Sequence, residues 1–478
     1  MKHVVEWALV AGCVVAAPYL SGCSSAPRGL PGDGDGGALG PSGSNGDSGD
    51  ADDADAFGGP PNPCPLEAVV AVPDADTDSG DDGGTACGTA GVPALVAADT
   101  AFAMAFLSVA FVDDGGIADN AVVSPYSVSS AMMMVDVGAA GQTDSQIESV
   151  LSLPANGPAE ASAYSGLVCA LEAAGSSNGN TLALANSLWG QKGVSFEAPF
   201  LDVLATGYGA PLQSVDFEGD PAAAVTTINA WVSQATQGNI ASPLGTGDIT
   251  SQTRLIAVNA VYFKGTWANG FDPTMTAPRP FTLADGTRTT VTTMSGAITA
   301  SVGATSSLLV VELPYKASSG SAMAMDILMP EAASAGLAAF ESTLTPVTLS
   351  SALASLAHPI QYIVEMPKFS FSTSVRLEPV LVAMGMSDVF ESGVADLSGM
   401  DGAMDLSVAA VVQEATVEVD ELGTVATAVT VVEGCTCCNA IIETTPPLVQ
   451  IDRPFFFLIR DTANGAILFM GQVVDPGE

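Results

Sequence analysis

The chain has 478 residues, enough for one large domain or two average ones. Its 52 acidic and 12 basic residues leave a formal charge of −40, too few cations to displace counterions from a nucleic-acid backbone or to hold an anionic membrane patch. A charge this large bears on solubility and association rather than on fold.

The first predicted element is an export signal. Lys2 precedes an apolar run over 4–20 that Glu6 interrupts, which makes it a poor membrane span. The run ends in Leu20-Ser21-Gly22-Cys23, which resembles a bacterial lipobox. Residues 1–23 are therefore expected to be a lipoprotein signal, with Cys23 the lipidated first residue of the exported chain. Ordinary cleavage beside small residues is the alternative. Lipid chains of this kind tether a domain rather than span a bilayer. They would place the protein at the bacterial cell envelope, on the outer membrane or cell surface, and otherwise it would be extracellular. No later apolar run is expected to reach spanning length.

Residues 24–94 are rich in Gly, Asp, Pro and Ser, with runs such as GDGDGG and SGDADDADA. Such a segment buries too little apolar surface to offset the entropy of folding, so it is predicted to be a flexible linker. Calcium binding by an EF-hand is disfavoured there, because the spaced ligand set ending in Glu is missing.

The folded domain is predicted over 95–478. Helical periodicity runs over 96–112. Pro125 opens a second apolar helix, as proline does in a first turn. Thr143 is expected to cap a helix over 144–151, and further helices fall at 159–174 and 221–237. Strands are predicted at 182–189, 255–263, 308–313, 324–329, 360–366, 406–419, 455–460 and 467–473. Helices lead and strands follow, which points to an α+β fold with antiparallel or mixed sheets.

Removing the signal and lipidating Cys23 leaves Cys64, Cys87, Cys169, Cys435, Cys437 and Cys438. An oxidising compartment permits disulfides. Cys64 and Cys87 bracket an acidic segment and can pair with each other, although spacing does not fix the connectivity.

Catalytic motifs are missing. Beyond the signal there is one histidine, His358, directly before Pro359, so Ser-His-Asp and Cys-His mechanisms have almost nothing to work with. There is no HExxH, no zinc-finger spacing and no GxxxxGK[ST] loop. Gly434-Cys435-Thr436-Cys437-Cys438 offers thiols for soft metal or disulfide exchange, but no neighbouring basic residue lowers their pKa. The chain is expected to be neither an enzyme nor a cofactor or metal protein, with a cysteine-based redox or metal module as the weakest reading.

Ahead of those cysteines lies a strand pattern. Thr424, Ala426, Ala428, Thr430, Val432 and Gly434 alternate with Val425, Thr427, Val429, Val431 and Glu433. One face is small or apolar throughout, and the only charge falls on the other, as a half-buried strand requires.

Several long blocks resemble the serpin family, in the family's order, over nearly all of 95–478. They are Asn120-Ala-Val-Val-Ser-Pro-Tyr-Ser127 with Gly138-Ala-Ala-Gly-Gln-Thr143, then Leu255-Ile-Ala-Val-Asn259-Ala-Val-Tyr-Phe-Lys-Gly-Thr-Trp267 with Phe271-Asp272-Pro273. Glu365-Met-Pro-Lys-Phe369, Ala395-Asp-Leu-Ser-Gly399, Asp452-Arg-Pro-Phe455 and Leu468-Phe-Met-Gly471 complete the set. The resemblance implies three β-sheets, about nine helices and an exposed reactive loop over 421–453. It implies a monomeric suicide inhibitor. A target protease cleaves the loop, which then inserts as a new strand of the largest sheet.

The same resemblance assigns Glu421, Gly423 and Thr424 to the hinge and Ala426, Ala428 and Thr430 to the inserting strand. It puts the cleaved bond at Cys437-Cys438 when counted from the hinge, and near Glu443 when counted back from Pro454. Ser124, Ser127 and Asn259 match the polar cluster that controls sheet opening, with Gln413 where the family usually carries histidine, and Trp267 matches the tryptophan at the top of the sheet. Absence of Lys and Arg from 424 to 452 points away from a trypsin-like target. An elastase-like or subtilisin-like serine protease, or a cysteine protease, fits the small and aliphatic residues better. A non-inhibitory serpin-fold binding protein is the alternative.

Overall fold

The apolar periodicity that opens the domain forms helix α1 (Val92–Ala110), which begins inside the segment assigned to the linker and buries Leu95, Phe102, Phe106 and Leu107. The computed structural model describes residues 87–111, 119–154, 157–176, 179–240, 242–245, 247–317, 323–331, 337–423 and 446–477. Cys23, Cys64 and the loop positions Thr424, Ala426, Ala428, Thr430, Cys437 and Cys438 lie outside those residues.

At 19 residues, α1 is long and apolar enough to cross a membrane by length and composition alone. That differs from the expectation that no later run reaches such a length. The helix instead packs against α2 (Pro125–Asp136), α3 (Gly141–Leu151) and α4 (Gly157–Gly175). All twelve residues of α2 are buried, as in a helix enclosed on every side. Ser124 starts α2 by accepting a hydrogen bond from Ser127 N, and Pro125 follows. Thr143 is not a cap: α3 begins two residues earlier, and the buried Thr143 hydroxyl accepts from Asp396 N at 3.0 Å. A side chain holding another segment is not free to close its own helix end.

Ten α-helices occur among the described residues, and α5 (Ala198–Gly207), α6 (Pro221–Ala235), α7 (Leu337–Glu341), α8 (Pro346–Ala354), α9 (Glu378–Ala383) and α10 (Ser398–Asp401) complete them. The central sheet has five strands in the order β10 (Phe369–Arg376), β11 (Val408–Val419), β4 (Leu255–Lys264), β2 (Thr181–Gln191) and β3 (Gln213–Val215). Of the other nine strands, eight form one continuous path and β5 branches from it by pairing with β6. Along it β6 (Arg288–Ala304) joins two sheets: its first half pairs with β5 (Ala277–Thr282) and β9 (Ile360–Pro367), and its end pairs with β7 (Leu308–Pro314). β12 (Leu448–Gln450) extends the first of these. Beyond β7 lie β8 (Met323–Pro330), β13 (Phe455–Asp461), β14 (Ile467–Val473) and β1 (Ala121–Val123). The fold is therefore α+β with three sheets, as expected.

β13 and β14 are buried at every position, and Phe455, Phe456, Phe457 and Phe469 fill the main core with α2 and α1. A second cluster, with Trp189, Phe217, Ile228 and Val232, packs α6 on the central sheet.

Cys87 is bonded to Cys169 on α4, with Cα atoms 5.7 Å apart, which corrects the expected Cys64–Cys87 pairing. Proximity in sequence favoured Cys64, whereas α4 brings Cys169 to the start of the domain. Non-reducing peptide mapping is expected to recover a Cys87–Cys169 cross-link and no Cys64–Cys87 link. Reduction should lower stability by about 2–4 kcal/mol in denaturant unfolding.

Candidate functional site

The central feature of the five-stranded sheet is a seam. β4 and β11 are neighbours and run parallel, with Gln413 opposite Asn259. β4 is antiparallel to β2, and β11 is antiparallel to β10, so this seam lies between two antiparallel pairs. Parallel ladders are slightly the weaker kind per residue.

Side-chain amides bolt the middle of the seam. Gln413 Nε2 donates to Asn259 Oδ1 at 3.2 Å and to the Ser124 carbonyl at 2.9 Å, while its Oε1 accepts from Ser124 N at 3.0 Å. Asn259 Nδ2 donates to the Ser127 carbonyl at 2.7 Å and to Asn186 Oδ1 on β2. Asn186 Nδ2 donates in turn to the Tyr164 hydroxyl at 3.1 Å. Ser124, Ser127, Asn259 and Gln413 are all at most 1% exposed. The four residues singled out in the sequence thus meet at one dry point where β11, β4 and the start of α2 converge. Their contacts are not uniform: Ser124 and Ser127 contribute backbone groups, and Ser127 Oγ has no hydrogen-bond partner among the described residues.

The upper end is held differently. Trp267, 2% exposed, stacks on Tyr315 with ring centroids 4.6 Å apart. Its indole N–H donates to Asp420 O at 3.0 Å, and its backbone N–H donates to Leu422 O at 3.1 Å. Phe271 N donates to Glu421 O at 2.7 Å. The Glu421 carboxylate meets Lys368 Nζ at 2.7 Å and accepts from Thr276 Oγ1 at 2.7 Å. Burial raises the Glu421 pKa, but the Lys368 and Thr276 bonds outweigh it and hold the carboxyl below its ordinary value. Gly423 pairs with Thr266 at φ 130°, and a Cβ there would collide with the Gly265 carbonyl. Glycine is required by both conformation and space. Glu421 and Gly423 are therefore docked on the segment that follows β4. After Pro446 and Pro447 the chain enters β12, which pairs parallel with β9.

His358 is exposed in the connection between α8 and β9, far from any nucleophile arrangement in sequence. The pattern analysis missed Asp99. It is buried on α1, accepts from Ser129 Oγ at 2.6 Å, and keeps a second oxygen with no hydrogen-bond partner among the described residues. Burial pushes its carboxyl up to about 7, against the Ser129 hydrogen bond. One aspartate in an otherwise apolar helix was the only signal, and sequence alone cannot tell which helix face is inward.

A family model described as serpin (serine protease inhibitor) matches residues 97–476. A leukocyte elastase inhibitor from Homo sapiens is 36% identical over 391 residues, covering 80% of this chain and 99% of that protein. An Arabidopsis serpin solved in its native stressed conformation superposes with a TM-score of 0.70 at 29% identity, covering 80% of this chain and 98% of its own. Native protease nexin-1, solved with heparin, superposes with a TM-score of 0.69 at 29% identity, covering 80% of this chain and all of its own.

Truncating Gln413 to alanine strands the Ser124 N–H and carbonyl in a dry site, at an expected cost of about 2–3 kcal/mol read from the denaturant midpoint. Asp99 gives a pH signature. Its folded pKa is raised, so the folded state holds a proton that the unfolded state has already lost between about pH 4 and pH 7. Stability from this group therefore falls as pH rises through that window. Asp99→Asn is expected to flatten that part of the stability-versus-pH curve.

Proposed function

The chain belongs to the serpin family, and from that premise we propose that it inhibits a protease by being cleaved in the loop after Gly423 and inserting that loop into the β4–β11 seam. The family is one of protease inhibitors, not of enzymes. The observation that carries the proposal is the parallel β4–β11 pair with the Glu421–Gly423 hinge docked at its upper end. A chain that turns back after Gly423 runs antiparallel to both strands at once. Insertion would exchange one parallel ladder for two antiparallel ones, a favourable exchange in hydrogen bonding.

The sequence of the loop fits that role. Eleven residues over 424–434 match a seam bounded by ten residues in β4 and twelve in β11. The face holding Thr424, Ala426, Ala428 and Thr430 carries no charge, so its burial leaves no unpaired ion. Glu433 falls on the opposite face. A docked hinge and an unspent ladder are what a loaded spring needs: cleavage frees one end, and strand addition drives the rest.

Cys437-Cys438 is the bond we assign to the protease, by counting from the hinge. With no Lys or Arg over 424–452, the target is an elastase-like or subtilisin-like serine protease, or a cysteine protease. The leukocyte elastase inhibitor relative supports the first choice. A disulfide from Cys435 to Cys437 or Cys438 would kink the loop and gate cleavage by redox state. In the same reading the inhibitor is a monomer, lipid-anchored at Cys23 to the bacterial cell envelope and held off it by residues 24–94.

Incubation with a protease panel is expected to give a complex with an elastase-like enzyme that survives detergent, and mass mapping should place the cut at Cys437-Cys438. The cleaved chain should unfold at a higher temperature than the intact one. Thr430→Arg puts a charge on the inserting face and should turn the inhibitor into a substrate, with free cleaved chain replacing complex. Cleavage without complex or gain in thermal stability would instead identify a non-inhibitory binding protein.

A further inference from the structure

A second site stands at the other end of α2, away from the seam. The helix stops at Asp136, which is 9% exposed and whose Oδ1 is sealed from solvent with no hydrogen-bond partner among the described residues. It is aimed at α3. There Asp144 in the first turn and Glu148 one turn later share a helix face, and both are half-buried. Ligand oxygens of the three carboxylates lie within 4.8 Å of one another. Glu160, in the first turn of α4, adds its negative charge to the field at Asp136. Among the described residues, no salt bridge reaches Asp136, Asp144 or Glu148. Burial, Asp144, Glu160 and Glu148 all act in one direction on Asp136 and push its carboxyl up to about 8. The last turn of α2 contains no basic residue, so the negative end of its dipole also faces this point uncompensated.

We propose that Asp136, Asp144 and Glu148 bind one divalent cation, calcium, which fastens the end of α2 to α3. An all-carboxylate set selects a hard ion and offers nothing to zinc or copper, which favour nitrogen and sulfur. The oxygens lie no more than 4.8 Å apart, which is no more than about twice the 2.4 Å Ca–O distance, so a small closing movement of the half-exposed Asp144 and Glu148 side chains would let one ion reach all three. Magnesium demands about 2.1 Å and stricter octahedral geometry, which helices set by packing do not supply. Half-exposure of Asp144 and Glu148 leaves room for water to complete the shell. Bound calcium would neutralise repulsion that nothing else in the cluster offsets. It would also brace the helix whose opposite end holds the seam.

Calorimetric titration of CaCl2 into the full chain and into the Asp144→Asn, Glu148→Gln double variant tests this. Both substitutions lie at half-exposed positions and relieve repulsion, so the variant is expected to fold with an unfolding midpoint, free of calcium, no lower than that of the parent. The acidic segment over 24–94 is the same in both proteins, so its diffuse uptake of calcium cancels in the comparison. The parent should show one saturable site and a calcium-dependent rise in unfolding temperature. In the variant the site should weaken by about tenfold or more, and the temperature rise should vanish. A second variant, Asp136→Asn, should lose the same site. Identical isotherms for parent and variants, or a parent with no saturable component, would overturn the assignment.

Discussion

Everything in the central sheet depends on the bond between Gln413 and Asn259. It crosses the seam between two neighbouring parallel strands. Each partner also holds α2, Gln413 through Ser124 and Asn259 through Ser127. The strands therefore cannot part at this level without breaking with the helix beneath them. Neutral amides suit this duty. Both can donate and accept, both use their oxygen and their nitrogen here, and neither carries a charge that a dry interior would penalise. Such bonds are each worth little net, but leaving them unmade is costly. In the proposed mechanism that asymmetry would resist partial opening more than complete replacement by a new strand with its own ladder.

The domain places its acidic excess with the same logic, and in places against it. Asp326, wholly buried on β8, is held by Arg460 of β13, which also bonds Glu312 of β7. Burial still pushes the Asp326 carboxyl up to about 6 against the pull of Arg460. Asp99, Asp136 and Glu341 are buried with no ion pair among the described residues, and burial raises all three. The chain has 12 basic residues against 52 acidic ones, so most of its carboxylates can have no cationic partner. The scarcity makes the exceptions informative: Lys368 is spent on Glu421 and Arg460 on the joint between β7, β8 and β13.

The sequence exposed the fold where apolar residues were large and periodic. β4, β8, β13 and β14 were legible within a residue or two, as were α2 and α6. β6 and β10 were not. β6 is mostly Thr, Ala, Ser and Gly, with Val291, Met294 and Ile298 too widely and unevenly spaced to announce a core face, and its identity rests on partners on both sides. β10 alternates clearly, but its exposed face is Ser370, Ser372, Ser374 and Arg376, which reads as a polar connection. At the site, Ser124, Ser127, Asn259, Gln413 and Trp267 were found through family blocks, because nothing local marks an amide as lying across a seam. Asp99 and the Cys87–Cys169 bond were hidden for one reason. Both depend on how helices pack, with Asp99 meeting α2 and Cys87 meeting α4, and helix packing follows from tertiary contacts rather than spacing in the chain.

The seam carries two latches of different chemistry, and this separates their responses. The lower one is neutral and sealed, so neither salt nor pH reaches it directly. The upper one rests on the Glu421–Lys368 pair, whose lysine side chain is 36% exposed, and on backbone bonds from Trp267 and Phe271. Salt screens an exposed pair. Because Glu421 is held below its ordinary pKa, its contribution is complete above about pH 4.5 and is lost as pH falls through the depressed value. Salt and acid would thus weaken the Glu421–Lys368 contact and leave the neutral Gln413–Asn259 hydrogen bond in place. Gly423 sharpens the same division, since its contact with Gly265 and Thr266 is steric and backbone in nature and persists when the charge is gone. Opening would begin at the top, where the loop departs, and stall at the amides until an incoming strand replaced them.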